Sequence, residues 1–327
     1  MEAITTTNQN TIEAPKLSGK LYAEYIAYID RSEQTTRTYL NTLKVFATWC
    51  KDNGIDRPTR DDIISYRQYL ERTRSASTVA QYLRSVCQFF RWTGAAGYYP
   101  NVAENVHAPK VRTNIHKRDA LDPEDVTKID EMLLARIAGA KSATEDLQAK
   151  RTRAIFLLAV VAGLRTVEIH RANIRDLETR GGRGGRAWLY IWGKGHAEPD
   201  ERKPLARTVY AAIKAYLDAR TDHMVQNSPL FVATGNRSGG KRIAATTIST
   251  MLKRTLQAAG YDSERLTAHS LRHTAGTAAF TVSSDLYAVQ GYLRHKDPAV
   301  TEIYLHAITE RQEAELAEQI CNLYKIK

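Results

Sequence analysis

A chain of 327 residues, 43% hydrophobic and 25% charged, has the composition of a soluble globular protein of about two domains rather than a disordered or fibrous one. Its 47 lysines and arginines against 36 acids leave a formal charge of +11, which suits a polyanionic partner, although such an excess also arises without one. No run nears the ~20 apolar residues of a membrane span. Cys50, Cys87 and Cys321 are too scattered for a disulfide framework or a cysteine zinc site, which fits a reducing, cytoplasmic setting.

Residues 1–16 are polar, lack the apolar stretch of a secretory signal, and read as a disordered tail. Helical spacing begins at residue 17. Leu21, Tyr25, Tyr28 and Ile29 mark a first helix, and Thr36, Tyr39, Leu40, Leu43, Phe46 and Ala47 a second. After Gly54, Pro58 and the Asp61–Asp62 pair, Ile63, Tyr66 and Leu70 mark a third. A fourth, with Ser77 or Thr78 as its cap, carries Tyr82, Leu83, Val86, Phe89 and Phe90 on one face. The expectation is a four-helix domain over residues 17–108.

Seven arginines (57, 60, 67, 72, 74, 84 and 91) lie along its second half. Each alone reads as a solvated helix face; as a group beside a basic linker they read as a phosphate-contacting surface, with Arg74 and Arg84 as candidates. The linker, residues 109–119, has no apolar periodicity; it reads as a plain flexible linker or as a basic strap that clamps a duplex, with Lys110, Arg112, Lys117 and Arg118 as further DNA-contact candidates.

The second domain, residues 120–327, opens at Leu121–Asp122–Pro123, a capped helix start with acids in its first turn. A buried helix covers roughly residues 152–162. Residues 186–192 are strand-like, Gly193–Lys194–Gly195 is a turn, and a return strand near residues 201–206 completes a hairpin. The remainder reads as helical, so the expected fold is mostly α with a small antiparallel β-sheet. In residues 309–325, Leu316, Ile320 and Leu323 form an apolar stripe that suits packing on its own domain or on a neighbour's.

Four short segments carry chemistry. Gly163–Leu164–Arg165 ends the buried helix, Lys194 sits at the hairpin tip, His269–Ser270–Leu271–Arg272 puts two functional groups one turn apart, and Tyr292–Leu293–Arg294–His295 precedes Tyr304. On one helix face His269 and Arg272 can act together while Leu271, Ala275 and Ala278 turn to the core. Two planar guanidinium forks, Arg165 and Arg272, suit a phosphate and the charge of a pentacoordinate phosphorane. A tyrosine hydroxyl, pKa near 10, needs positive surroundings or a base to attack phosphorus; His269 can take its proton, and Lys194 can protonate a leaving oxygen. Asp297 and Pro298 would start a helix presenting Tyr304.

Each segment has a plainer reading. Lys203 rivals Lys194 on composition, the His269–His273 pair has zinc-ligand spacing but neither a glutamate partner nor a third ligand, and Tyr304 is one of 17 tyrosines. The ordered set is more specific than its parts. Arginine, hairpin lysine, HxxR, histidine and C-terminal tyrosine resemble the signature of the tyrosine recombinases (phage integrases, Xer proteins and transposon integrases), weakly over the first domain and strongly from Arg165 onward.

That resemblance implies a SAM-like core-binding domain followed by a mixed α/β catalytic domain. It implies that Arg165 and Arg272 hold the scissile phosphate, Lys194 is the general acid, His269 assists proton transfer, His295 donates to a non-bridging oxygen, and Tyr304 forms a 3′-phosphotyrosyl link. Glu168 would support the site. No metal or nucleotide is implied, since bond energy is kept in the phosphotyrosine. The implied partners are double-stranded DNA sites, with a tetramer joined by exchange of the C-terminal helix and a Holliday junction intermediate, and the implied location is the cytoplasm, on the nucleoid.

A type IB topoisomerase shares this chemistry, and a DNA-binding protein with a degenerate site is a third reading, against which stand all six filled positions. Many relatives have Leu-Gly-His where this chain has Leu293–Arg294–His295, which makes Arg294 a further DNA-contact candidate. The glycine-rich run at residues 181–186 has no assigned role.

Overall fold

The computed structural model describes residues 16–110, 120–180, 186–192, 201–235, 239–295 and 301. The chain divides into two compact units, Met1–Thr113 and Asn114–Lys327. The division falls within the basic stretch 109–119, most of which lies outside the described residues.

In the first unit, four serine or threonine caps start four helices: α1 (Gly19–Tyr28), α2 (Glu33–Asp52), α3 (Arg60–Thr73) and α4 (Ala76–Ala95). Thr59 and Asp62 form a reciprocal capping box on α3, satisfying amides that would otherwise lack partners. Helix α4 starts earlier than Ser77 or Thr78. Ser75, in extended conformation, accepts from the Thr78 amide, so Thr78 is already one turn inside. Phe46, Tyr66, Phe89 and Phe90 are wholly buried and meet largely edge to face, with Leu43, Ile63, Leu70, Leu83 and Val86 around them. Each such side chain stabilises the unit by roughly 1.5–3 kcal/mol. Beyond α4, the Tyr99 hydroxyl donates to the Pro58 carbonyl at 2.8 Å, fastening the end of the unit to the start of α3.

The second unit is built around α6 (Ala143–Val160), which packs against α5 (Pro123–Ala138), α8 (Arg207–Asp218) and α10 (Ala268–Ser283). Its second half, residues 154–160, is buried on every side because the sequence there is apolar throughout. Ser142 caps α6 twelve residues before the apolar stretch, starting at Ala154, that announces it, since its first half is polar and carries no apolar periodicity. Helix α5 starts at the expected place with Pro123 first, while Asp122 makes no side-chain cap bond.

The sheet has three antiparallel strands in the order β1 (Leu177–Arg180), β2 (Arg186–Ile191), β3 (Glu201–Leu205). The hairpin β2–β3 matches the expectation; β1, four residues of mixed polarity, carries too little alternation to be read from sequence. Leu189 pairs with Lys203, so strand alternation sends Lys203 to the buried face beside Leu205.

The chain after the hairpin is not helical throughout. Between α8 and α9 (Ala245–Ala258), an irregular stretch is held by the bridges Asn173↔Pro229 and Val232↔Arg242, and Arg220 and Arg151 donate to its carbonyls. Helix α11 (Leu286–Leu293) completes the described part, packing Val289 and Leu293 on Ala275 and Phe280. Ala278, expected in the core, is exposed; Phe280 takes that role. No described helix is long and apolar enough to cross a membrane.

Candidate active site

Helix α10 is pinned at its start by Ser270, whose hydroxyl accepts from the Thr267 amide and donates to the Arg265 carbonyl, each at 2.9 Å. This leaves His269 exposed in the first turn and carries Arg272 inward, where it is only 2% exposed. The Arg272 guanidinium donates through Nη1 to the Gly163 carbonyl and through Nη2 to the Leu293 carbonyl. One arginine thus joins the segments at residues 163–165 and 292–295, which are distant in sequence. A planar fork suits the task, because two carbonyls fix its plane where an ammonium would remain free to turn.

Gly163 has φ +66°, and a Cβ there would lie 2.8 Å from Leu293 Cδ2, so only glycine fits. Directly after it, Arg165 starts α7 (Thr166–Arg171). Glu168 accepts from the Arg165 amide at 2.8 Å and from its Nη1 at 2.9 Å, steering a guanidinium whose side chain is 43% exposed. Burial pushes the Glu168 carboxyl up, but Arg294, the Arg165 amide and Arg165 itself outweigh it and hold it below the usual carboxylate range.

Arg294, proposed from sequence as a DNA contact, has a side chain only 10% exposed and engaged with two carboxylates. Its Nη2 meets Glu168 Oε2 at 2.6 Å and its Nε meets Glu201 Oε2 at 2.9 Å. It does this from a left-handed backbone, φ 55° and ψ 51°, that costs a residue with a Cβ about 1–2 kcal/mol. Gln290 and His295 clasp each other across this turn: the His295 amide donates to the Gln290 carbonyl and Gln290 Nε2 to the His295 carbonyl, both at 3.1 Å.

His295 is buried, with Nδ1 3.0 Å from the Thr301 hydroxyl. Burial first, then Arg272, Arg165 and Arg294, pull its pKa down to about 4, against Glu168. The ring is therefore neutral near pH 7, and when Thr301 donates to Nδ1 the ring proton sits on Nε2, as a hydrogen-bond donor requires. Lys203 is 2% exposed; its Nζ donates to the Tyr292 carbonyl at 2.5 Å and lies 3.0 Å from the centroid of the Tyr292 ring. Burial, then Arg294 and Arg272, pull its pKa down to about 7. Sequence reasoning had Lys203 only as a rival of Lys194. The sign of its inward position was strand parity, which needs the register to be usable.

Arg165, His269 and Arg272 line one cleft of about 740 Å³, with the start of α7 on one side and Ser249, Lys253 and Arg254 of α9 on the other. Lys253 is occupied with the Ser263 and Leu266 carbonyls, whereas Arg254 is exposed. No apolar or motif pattern marked Arg254. Arg165, Arg254, Arg272 and Arg294 against Glu168 and Glu201 leave this region positive, as an oxyanion site requires.

Lys194 and Tyr304 lie outside the described residues, as do Arg112, Lys117, Arg118, Asp297, Pro298 and the segment 309–325. Arg74, Arg84 and Lys110 are exposed on the first unit, and Arg74 lies over the Tyr82 ring. Of the seven arginines there, Arg67 is partly buried and donates to the His107 carbonyl, so its role includes holding the chain beyond α4.

Comparison with known proteins bears on both units. Residues 21–96 match the N-terminal SAM-like domain of phage integrases, and residues 130–311 match the phage integrase family. The tyrosine recombinase XerC of Corynebacterium efficiens is 28% identical over 291 residues, 88% of this chain and 85% of that protein. XerD of Rhizobium meliloti is 29% identical over 264 residues, 80% of each. Among solved structures, the XerH site-specific recombinase bound to palindromic difH substrate, a post-cleavage complex, superposes with a TM-score of 0.69 at 21% identity, covering 87% of this chain and 79% of that one. A lambda integrase dimer bound to a COC′ core site (residues 75–356) gives 0.62 at 17% identity, covering 86% and 96%. With Arg165, Arg272 and His269 around one cleft and a family match over more than half its length, the chain belongs to the phage integrase family of tyrosine site-specific recombinases.

Proposed function

We propose that this protein cuts and rejoins double-stranded DNA at specific sites with Tyr304 as nucleophile. The observation that supports this most directly is the convergence of Arg165, His269 and Arg272 on one positive cleft. In the proposed reaction Arg165 and Arg272 hold the scissile phosphate and stabilise the added charge of the phosphorane. His269, exposed at the cleft, takes the Tyr304 proton, and neutral His295 donates to a non-bridging oxygen. The Tyr304 oxygen bonds to phosphorus, the bond to the 5′ oxygen breaks, and Lys194 protonates that oxygen. Religation by an incoming 5′-hydroxyl reverses these transfers, so nothing is consumed.

Two such exchanges on paired sites pass through a Holliday junction, which calls for four protomers. The apolar stripe of residues 309–325 is proposed to dock on a neighbour; truncation at Glu310 should then impair assembly on DNA, and normal assembly would refute the exchange. The recombinase names of the relatives favour recombination over the topoisomerase reading. The DNA site it cuts sets the biological role, be it integration and excision of a mobile element, dimer resolution or inversion.

The test is a nicked suicide substrate with wild type and Tyr304→Phe. Wild type should trap covalent DNA and the variant should not. Covalent product with Tyr304→Phe would remove Tyr304 as nucleophile.

A further inference from the structure

Arg294 occupies an unusual position. Its backbone is left-handed, where glycine is the easy choice, and its charge is buried, where an apolar side chain costs least. What it gains is two carboxylates from different elements: Glu168 from α7 and Glu201 from the first position of β3. Glu168 in turn receives both the amide and Nη1 of Arg165. The chain Glu201–Arg294–Glu168–Arg165 therefore runs from the catalytic hairpin to the exposed guanidinium at the cleft.

The same turn is gripped from two further sides. Lys203, two residues along β3 from Glu201, holds the Tyr292 carbonyl, and Arg272 holds that of Leu293. Three consecutive residues, 292 to 294, thus bind cation or carboxylate groups of α7, α10 and β3.

We propose that Arg294 is a positioning residue for phosphate capture, sharing Glu168 so that Arg165 keeps its fork turned to the cleft, and tying β3 to that arrangement through Glu201. Without Arg294, Glu168 has Arg165 as its remaining close ion-pair partner, and Arg165 is drawn onto the carboxylate; Glu201 loses its anchor. A direct DNA contact is the competing role, and the burial of the side chain speaks against it. The inference rests on Arg165 being a phosphate ligand.

The two roles separate in one experiment. Single-turnover cleavage of the nicked substrate is measured with wild type, Arg294→Gly and Arg294→Lys, alongside DNA affinity at several salt concentrations. Arg294→Gly removes the side chain and relieves the backbone, so it should fold. Its cleavage rate at saturating DNA should drop at least about tenfold, with the salt slope lowered by no more than about 1, since the one phosphate contact disturbed is that of Arg165. Arg294→Lys, which can serve one carboxylate, should recover part of the rate. Glu201→Gln should add little to the defect of Arg294→Gly, because both break the same link. An unchanged cleavage rate in Arg294→Gly overturns the proposal, and so does a weaker affinity with a shallower salt slope at normal saturated rate, which is the mark of a DNA contact. If wild type itself traps no covalent DNA, it is the reading of the active site that fails, not the role of Arg294 alone.

Discussion

Gly163 and Leu293 are packed so closely that a single added carbon at Gly163 would lie 2.8 Å from the Leu293 Cδ2 atom. Both of their carbonyls accept from the buried Arg272 guanidinium. The contact therefore sets the width of the seat in which Arg272 lies.

Gly163→Ala combines left-handed strain with this clash, and the cost should be about 2–4 kcal/mol of stability. Because Leu293 has to move, the Arg272 seat widens, and cleavage should fall by more than the loss of folded protein explains. Thermal unfolding together with a single-turnover rate corrected for folded fraction checks this. A normal corrected rate would show that the seat tolerates the shift.

Lys203 makes stability depend on pH in a definite direction. Its folded pKa of about 7 lies below the ordinary lysine value of 10.5, so between these pH values the unfolded chain binds the extra proton and stability rises with pH. Below about 7 the full penalty is present. Lys203→Met should therefore gain most relative to wild type at pH 6, on the order of a few kcal/mol before the lost Tyr292 hydrogen bond is set against it, and the gain should shrink toward pH 10. Parallel denaturation curves at pH 6 and pH 9.5 for both proteins give the answer; an unchanged difference would mean that Lys203 is not the titrating group.

His295 acts in the same sense at lower pH. With a folded pKa of about 4 against 6.5, it is neutral in the folded state where the unfolded chain is protonated, so it contributes a fall in stability as pH drops from 6.5 to 4. His295→Gln should flatten that fall. In catalysis it should lower the rate without altering how the rate varies with pH above pH 5, because His295 does not titrate there. A change in that variation in this variant would contradict a neutral His295.

Arg74 and Arg84 are exposed on the first unit. If each meets a phosphate, alanine at either should weaken DNA binding across sequences and lower the slope of log affinity against log salt by about 1. Binding isotherms at four salt concentrations are sufficient; a wild-type slope in both variants would assign them to solvated helix faces.

The parts of this fold that were legible in the sequence are those with strong local pattern. Helix α4 shows Leu83, Val86, Phe89 and Phe90 at helical spacing, and β2 is dense in Trp188, Tyr190 and Ile191. What escaped had weak local pattern. Strand β1 is short and mixed, and the polar first half of α6 is helical because its capped start leads into a buried second half. In the site, Arg165, His269 and Arg272 were legible from order and spacing, and the structure places all three along one cleft. The double carboxylate engagement of Arg294 and the inward turn of Lys203 depend on contacts between residues 93 and 126 positions apart for Arg294, from Glu201 (294 − 201) and Glu168 (294 − 168), and 89 for Lys203 (292 − 203). No window of sequence contains both partners.

Helix α6 carries a consequence for motion. Its last two turns are enclosed on all sides, and Gly163, Leu164 and Arg165 follow within five residues of its end at Val160. The backbone amides of those two turns are shielded from solvent, so they should be among the last to exchange with deuterium. The Arg165 backbone is thereby mounted next to one of the last parts of the second unit to open. What remains to be steered is its half-exposed side chain, and that falls to Glu168.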